Sequence, residues 1–175
     1  MNTWTIDQAH SEIGFKIKHL VISTVRGHFT NFDGTIAMPE TDFSKAEISF
    51  SAVTDSINTN NEMRDGHLKS VEFFNTAEFP ALSFKSNKIE KKSDSEFNVT
   101  GTLNMHGVDK EIVLSATLNG MTKDPYGNSV MGFDVSGSIN RSDFGLVWNA
   151  PLETGGLALS DEVKIEIIAE FKEAK

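Results

Sequence analysis

The chain has 175 residues, of which 38% are hydrophobic and 23% are charged, and its formal net charge is −9 at pH 7. This length and composition are typical of one soluble globular domain, so we treat residues 1-175 as a single domain. The acidic balance argues against nucleic acid as a partner, because binding to a phosphate backbone draws on a surplus of Lys and Arg. With no cysteine, the chain has neither disulfides nor thiolate chemistry.

The start of the chain and its apolar segments bear on localisation. Met1-Asn2-Thr3-Trp4 leads directly into patterned sequence, without the basic and apolar segments of a signal peptide. No apolar run approaches the roughly 20 residues that span a bilayer. We therefore expect a cytoplasmic protein with no integral membrane association.

Alternation of apolar and polar side chains predicts strands along most of the chain. In chain order, the alternating segments are 12-23, 28-37, 46-57, 81-90, 97-106, 111-119, 131-139 and 163-171. Short polar connections such as Met38-Pro39-Glu40 and His106-Gly107 predict antiparallel hairpins. We predict an all-β fold in which eight antiparallel strands close into an up-and-down β-barrel, with a β-sandwich as the alternative.

One segment between two predicted strands, residues 60-74, breaks this alternation. Arg64, Leu68 and Val71 recur at helical spacing, and Asn60 or Asn61 is available as an N-cap. We predict a short helix that lies over one end of the barrel.

The predicted inward faces combine large apolar residues with single glycines or alanines. An eight-stranded barrel is close to the size at which side chains either fill the interior or leave room for one small ligand. If the small residues lie at similar depths, the barrel contains a continuous apolar tunnel; in the alternative, glycines permit bending and alanines fit a packed interior. The residues predicted to line a tunnel are Ile13, Phe15, Ile17, Phe50, Ala52, Val99, Gly101, Leu103, Leu114, Ala116, Phe133, Val135, Gly137, Ile165, Ile167 and Ala169.

Basic side chains near the first strands and on the predicted helix suggest where a polar headgroup would bind. We predict headgroup contacts at the barrel mouth from His10, His19, Arg26, Arg64 and His67. Charge-assisted hydrogen bonds to an anion are the strong ones, which favours such residues. His19 ends the alternating stretch Ile13 to Val21 and is predicted to lie at the rim. The alternative is that the histidines form local structural hydrogen bonds.

No pattern in the sequence indicates a catalytic, cofactor or metal site. The five histidines form no HExxH motif, and the chain has no Gly-x-Ser-x-Gly motif and no phosphate-binding glycine motif. We therefore predict no catalytic residues, no cofactor and no metal. Two alternatives stay open: an isomerase or hydrolase that acts on the ligand of the barrel with His10 or His67 as general base, and an interaction protein with a filled barrel. Val113 and Ile168, predicted to face outward, would suit a homodimer interface.

Several motifs taken together resemble one known family. They are Trp4 to Ser11, Arg26-Gly27-His28-Phe29, Arg64 to Ser70, Gly101 to Val108 and Asn140 to Gly145. Their types and order resemble the YceI family from about residue 3 to residue 171, although Gln8 replaces the usual proline of the first motif. The resemblance implies a lipocalin-like barrel that binds a polyisoprenoid, a prenyl pyrophosphate, a quinone precursor or a fatty-acid derivative, as a carrier or sequestering protein. It implies no catalytic residues.

Overall fold

The computed structural model describes residues 1-175, and most of them lie in strands. The strands are β1 (Asn2–Ile6), β2 (Glu12–His19), β3 (Ser23–Phe29), β4 (Phe32–Met38), β5 (Glu47–Val53), β6 (Ile57–Asn58), β7 (Ala81–Lys91), β8 (Glu96–Met105), β9 (Val108–Lys123), β10 (Ser129–Asn140) and β11 (Leu159–Glu173). The single α-helix, α1 (Glu62–Lys69), lies between β6 and β7. Short 3-10 helices cover Gln8–His10, Phe43–Lys45, Thr54–Ser56 and Arg141–Phe144. No helix has the length and hydrophobicity needed to cross a membrane.

All eleven strands belong to one antiparallel sheet, whose order is β1-β4-β5-β7-β8-β9-β10-β11-β2-β3-β6. Because β1 also pairs with β11, the eight strands from β1 to β11 in this order form a closed barrel. The predicted eight-stranded antiparallel barrel is confirmed, and its closure excludes the β-sandwich.

The remaining strands, β2, β3 and β6, extend the barrel wall. Three of the eight barrel strands are each built from two shorter strands that follow one another in the chain. The first part of β11 pairs with β2, while its last residues pair with β1, so β1 and β2 behave as one bent strand. In the same way β3 continues into β4, and β5 continues into β6, which pairs with β3. These interruptions divide the eight barrel strands into eleven, and β1 and most of β3 lie outside the predicted segments.

The turn of the β2-β3 hairpin lies inside the segment 12-23, which was predicted as a single strand. Leu20 and Val21 form its turn with φ angles of 54° and 66°. Left-handed backbone is unfavourable for a β-branched residue, and turns of this kind normally contain Gly, Asn or Asp. Because the turn is apolar, the sequence carries no turn signal at this point.

The predicted helix is confirmed, with narrower limits. Asn61 is its N-cap, since the Asn61 side chain accepts a hydrogen bond of 3.0 Å from the backbone N–H of Arg64. The helix ends at Lys69, where the backbone N–H of Ser70 donates to the carbonyl of His67. Val71 therefore lies beyond the helix, and its side chain is exposed.

The two ends of the barrel differ. At one end, which we call the plug end, Phe43 lies between the rings of Phe97 and Phe133, with ring centroids 4.9 and 4.8 Å away. At the other, the helix end, are α1, the 3-10 helix Arg141–Phe144 and the loop that leads to β11. His106 in the β8-β9 turn joins this end through a 3.0 Å hydrogen bond between its Nδ1 and the carbonyl oxygen of Phe144.

Candidate functional site

The barrel encloses an apolar cavity of about 210 Å³. It extends from Phe43 at the plug end to Arg141 and Leu146 at the helix end, and all eight barrel strands contribute to it. Of the 29 residues that line it, 25 are hydrophobic. Such a surface binds hydrocarbon by burial and offers few hydrogen bonds to a polar ligand.

Most of the residues predicted to line a tunnel border this cavity. They are Ile13, Phe15, Phe50, Val99, Leu103, Leu114, Ala116, Phe133, Val135, Ile165, Ile167 and Ala169. The other four, Ile17, Ala52, Gly101 and Gly137, lie outside its lining.

The two glycines among these four do not leave empty space, because large neighbours cover them. A Cβ added to Gly101 would clash with Cζ of Phe84, and one added to Gly137 would lie 2.7 Å from Cδ2 of Leu114. Glycine is therefore needed there for close packing, which is neither the open space of the predicted tunnel nor the strand bending of the alternative. Ala116 and Ala169, in contrast, border the open volume.

The five basic residues predicted to bind a headgroup do not converge, and none of them lines the cavity. Arg26 lies on the outer wall, where its Nη1 is 3.0 Å from Oε2 of Glu166. Lys16 binds the other oxygen of the same carboxylate, 2.6 Å away. The charge of Arg26 is thus already paired, away from the barrel interior.

His19, Arg64 and His67 lie nearer the helix end. The guanidinium of Arg64 donates to the hydroxyl and the carbonyl oxygen of Thr59, at 2.8 and 2.7 Å. The ring of His67 packs edge-on against Phe73 and Trp148, with centroid distances of 4.9 and 4.8 Å. His19 ends β2, is half-buried and makes no side-chain hydrogen bond.

His10 belongs to a charged cluster at the bend between β1 and β2. Oδ2 of Asp7 lies 2.9 Å from both Nδ1 of His10 and Nζ of Lys172. The hydrogen bonds with His10 and then Lys172 lower the pKa of Asp7 to about 2, and the same bond with Asp7 raises the pKa of His10. Asp7, His10 and Glu170 place potential metal ligands within 4.8 Å of one another, but Lys172 already supplies positive charge at Asp7.

Replacing Asp7 by Asn should lower the free energy of unfolding by about 1–2 kcal/mol near neutral pH. The pKa of Asp7 is depressed in the folded protein, so its stabilisation is complete above about pH 4 and is lost as the pH falls toward about 2. The raised pKa of His10 acts in the opposite sense: its contribution is complete below about pH 6.5 and is lost as the pH rises through the raised value.

Urea unfolding of wild type and Asp7→Asn from about pH 2 to pH 8 measures the contributions of Asp7 and His10 to the free energy of unfolding. The control is Asp143→Asn, because Asp143 is exposed and has no ion pair. If wild type and Asp7→Asn lose stability equally between about pH 4 and pH 2, this interpretation of Asp7 is wrong.

Arg141 is the one charged residue of the cavity lining, and the sequence-based prediction missed it. Its side chain is 6% exposed. Nε donates to the carbonyl oxygen of Ser160 at 2.9 Å, and Nη1 donates to those of Leu146 and Trp148 at 2.8 Å. A signal was present, since Arg141 continues the inward register of Phe133, Val135, Gly137 and Ile139 by one more step.

The chain is similar to known proteins along nearly its whole length. The family model described as the YceI-like domain matches residues 4–171. A UPF0312 protein of Staphylococcus aureus (strain N315) is 42% identical over 172 residues, which are 98% of each chain. The crystal structure of the Campylobacter jejuni YCEI protein is 34% identical, has a TM-score of 0.76 and aligns over 97% of this chain and 96% of its own.

Two further solved structures share the fold at lower identity. Burkholderia cenocepacia BcnA has a TM-score of 0.82 at 19% identity, over 94% of this chain and 98% of its own. A polyisoprenoid binding domain from Saccharophagus degradans has a TM-score of 0.73 at 16% identity, over 98% of both chains. At these identities the similarity concerns the fold alone.

Proposed function

Because the chain belongs to the YceI-like domain family, we propose that its barrel binds a long apolar ligand as a carrier or sequestering protein. The ligand class is a polyisoprenoid, a prenyl pyrophosphate, a quinone precursor or a fatty-acid derivative. The observation that carries this proposal is the cavity, whose lining is hydrophobic at 25 of 29 residues. Burial of hydrocarbon against such a surface contributes about 25 cal/mol per Å² before the costs of association. The polyisoprenoid binding domain of S. degradans, which has the same fold, supports this ligand class.

The positions of the histidines support binding rather than catalysis. A general base acts within about 3 Å of the proton that it removes, either directly or through one water. Neither His10 nor His67 lines the cavity. His10 is tied to Asp7 on the exposed bend, and His67 is held between aromatic rings. A ligand in the cavity therefore has no histidine beside it to act as a base.

The volume of the cavity has a consequence for how a ligand binds. About 210 Å³ is below the range of roughly 300–1,000 Å³ that is usual for small-molecule pockets. Phenylalanine rings occupy much of the interior, including Phe15 and Phe84, which fill the spaces above Gly27 and Gly101. We expect such rings to rotate when a long chain enters, so that the cavity is wider with ligand than without.

Organic extraction of the purified protein, followed by mass spectrometry, tests this function. We expect recovery of a lipid with a long hydrocarbon chain in an amount comparable to the protein. Added polyprenyl phosphates or quinones should raise the melting temperature of the delipidated protein, since a ligand that binds only the native state stabilises it. Recovery of no lipid, together with no rise in melting temperature, would rule out this proposal.

The homodimer and the cytoplasmic location stay predictions. Val113 and Ile168 lie on β9 and β11, and their side chains are 55% and 58% exposed. This exposure is compatible with the predicted interface. A measurement of the molar mass in solution distinguishes a monomer from a homodimer.

A further inference from the structure

Arg141 places a positive charge beside an otherwise apolar volume. A buried charge is strongly unfavourable unless an opposite charge or a full set of hydrogen bonds compensates for it. No Asp or Glu oxygen lies within 4.0 Å of the guanidinium, whereas Lys16, Arg26 and Lys172 all have such partners. The hydrogen bonds that Arg141 makes within the protein all go to three backbone carbonyl groups.

The hydrogen bonds of Arg141 leave one nitrogen free. Nε and Nη1 make the three bonds to carbonyl oxygens, while Nη2 makes none. Burial lowers the pKa of Arg141, and the charge of Asp161 opposes this effect only in part. The carboxylate of Asp161 is itself bound to the backbone N–H and the hydroxyl of Ser142. The free nitrogen is therefore a donor that lacks an acceptor from the protein.

The number of charges at this position limits the type of anion. A phosphate monoester carries about −1.5 to −2 charge near neutral pH, and a diphosphate carries more. Binding such a group inside the barrel needs several cations, but Arg26 and Arg64 are bonded elsewhere and Arg141 is the only charged residue of the lining. One buried guanidinium matches one negative charge.

We propose that Arg141 binds the acid end of the ligand, and that this ligand is a hydrocarbon chain ending in a singly charged carboxylate. The carboxylate lies at the helix end, where Nη2 of Arg141 donates to it, and the chain extends toward Phe43. This inference rests on the proposed function and specifies its ligand. The ligand is an isoprenoid acid or a free fatty acid rather than a prenyl diphosphate. Charge-assisted hydrogen bonds between guanidinium and carboxylate are strong, and they strengthen where water is excluded.

Four compounds with the same farnesyl chain and different ends test this inference: farnesoic acid, methyl farnesoate, farnesol and farnesyl pyrophosphate. Calorimetry with the delipidated wild-type protein near neutral pH should show that the acid binds at least about tenfold more tightly than the ester or the alcohol. The pyrophosphate should bind no more tightly than the acid. Equal binding of acid and ester, or tighter binding of the pyrophosphate, would overturn the inference and leave the proposed function in place. Failure of all four to bind would overturn both.

Variants of Arg141 identify the residue responsible. In Arg141→Gln the preference for acid over ester should fall to within about threefold, while Arg141→Lys should keep part of it. Because acid and ester are compared on the same protein, a general loss of stability does not change the ratio. The matched control is Arg26→Gln, which removes an outer-wall cation and should leave the preference unchanged. A preference that persists in Arg141→Gln would assign the acid end to another group.

If Arg141→Gln does not fold, the pH dependence of the wild type replaces it. The preference for acid over ester should fall as the pH drops through the ordinary carboxyl range of about 4 to 5, and it should be lost about one unit lower, where the ligand is protonated. A preference that is constant from about pH 4 to pH 8 contradicts binding through charge.

Discussion

Replacing Phe43 by alanine should lower the free energy of unfolding by about 3–5 kcal/mol, among the largest losses expected from a single substitution in this protein. Phe43 is 4% exposed, and its ring touches those of Phe97 and Phe133. Alanine removes both aromatic contacts and the buried area of the ring. The space that remains would join the cavity, because Phe43 lines it, so the neighbouring strands cannot close the gap by a small shift.

Urea unfolding, followed by circular dichroism, measures this loss. Phe43→Leu is the control, since leucine keeps most of the apolar volume and should lower the free energy by no more than about half as much. A loss below about 1 kcal/mol for Phe43→Ala would show that the Phe43 ring does not stabilise the plug end of the barrel.

Replacing Ala116 by phenylalanine should weaken binding of the farnesyl probe, farnesoic acid, by about tenfold or more, because the new ring would occupy the volume needed by the ligand. Ala116 is buried in the middle of β9, beside Phe97 on β8 and Val135 on β10, and it borders the cavity. A ring added to a filled core lowers stability by roughly 1–3 kcal/mol, but here part of it enters open space. We therefore expect a loss of binding that exceeds the loss of stability.

Calorimetry with the probe, together with thermal unfolding without it, separates the two effects. Ser115→Phe is the matched control, since Ser115 is the preceding residue on the same strand and is exposed. Its binding affinity should equal that of the wild type. If Ala116→Phe binds the probe as well as Ser115→Phe does, the ligand does not occupy the middle of the barrel.

The long strands were predictable because one face of each strand lies inside the barrel and the other lies outside. This imposes an alternation of apolar and polar side chains along the whole strand. In β8, β10 and β11 the apolar register runs without a break over 97-105, 131-139 and 163-171, and the predicted limits lie close to the observed ones except that β11 begins earlier, at Leu159. The hairpin at Leu20 and Val21 was not predictable, since its left-handed residues are apolar. Tertiary contacts, such as the bond from the backbone N–H of Leu20 to the carbonyl of Ala158, accompany this turn where local sequence gives no preference for it.

The apolar side of the site was largely predictable, whereas its polar side was not. Alternation identifies the inward register, but only packing decides that Phe84 covers Gly101 while Ala116 borders the cavity. Arg26 and His10 were grouped by closeness in sequence, yet their partners Glu166 and Asp7 lie on the outer wall and on an exposed bend. Arg141 was missed because the inward register was followed only as long as its residues were apolar or small. Arg141 is the first charged residue of that register.

The pairing of β1 with β11 affects how the protein folds during its synthesis on the ribosome. Trp4 lies opposite Glu173, so the hydrogen bonds that close the barrel join its first strand to its last strand. Contacts between such distant residues form slowly, because the whole intervening loop must be ordered first. Until the last strand has been synthesised, the sheet remains an open, apolar trough with two free edges. We therefore expect the nascent chain to depend on chaperones until β11 has left the ribosome, and to take up lipid only after β11 has paired with β1.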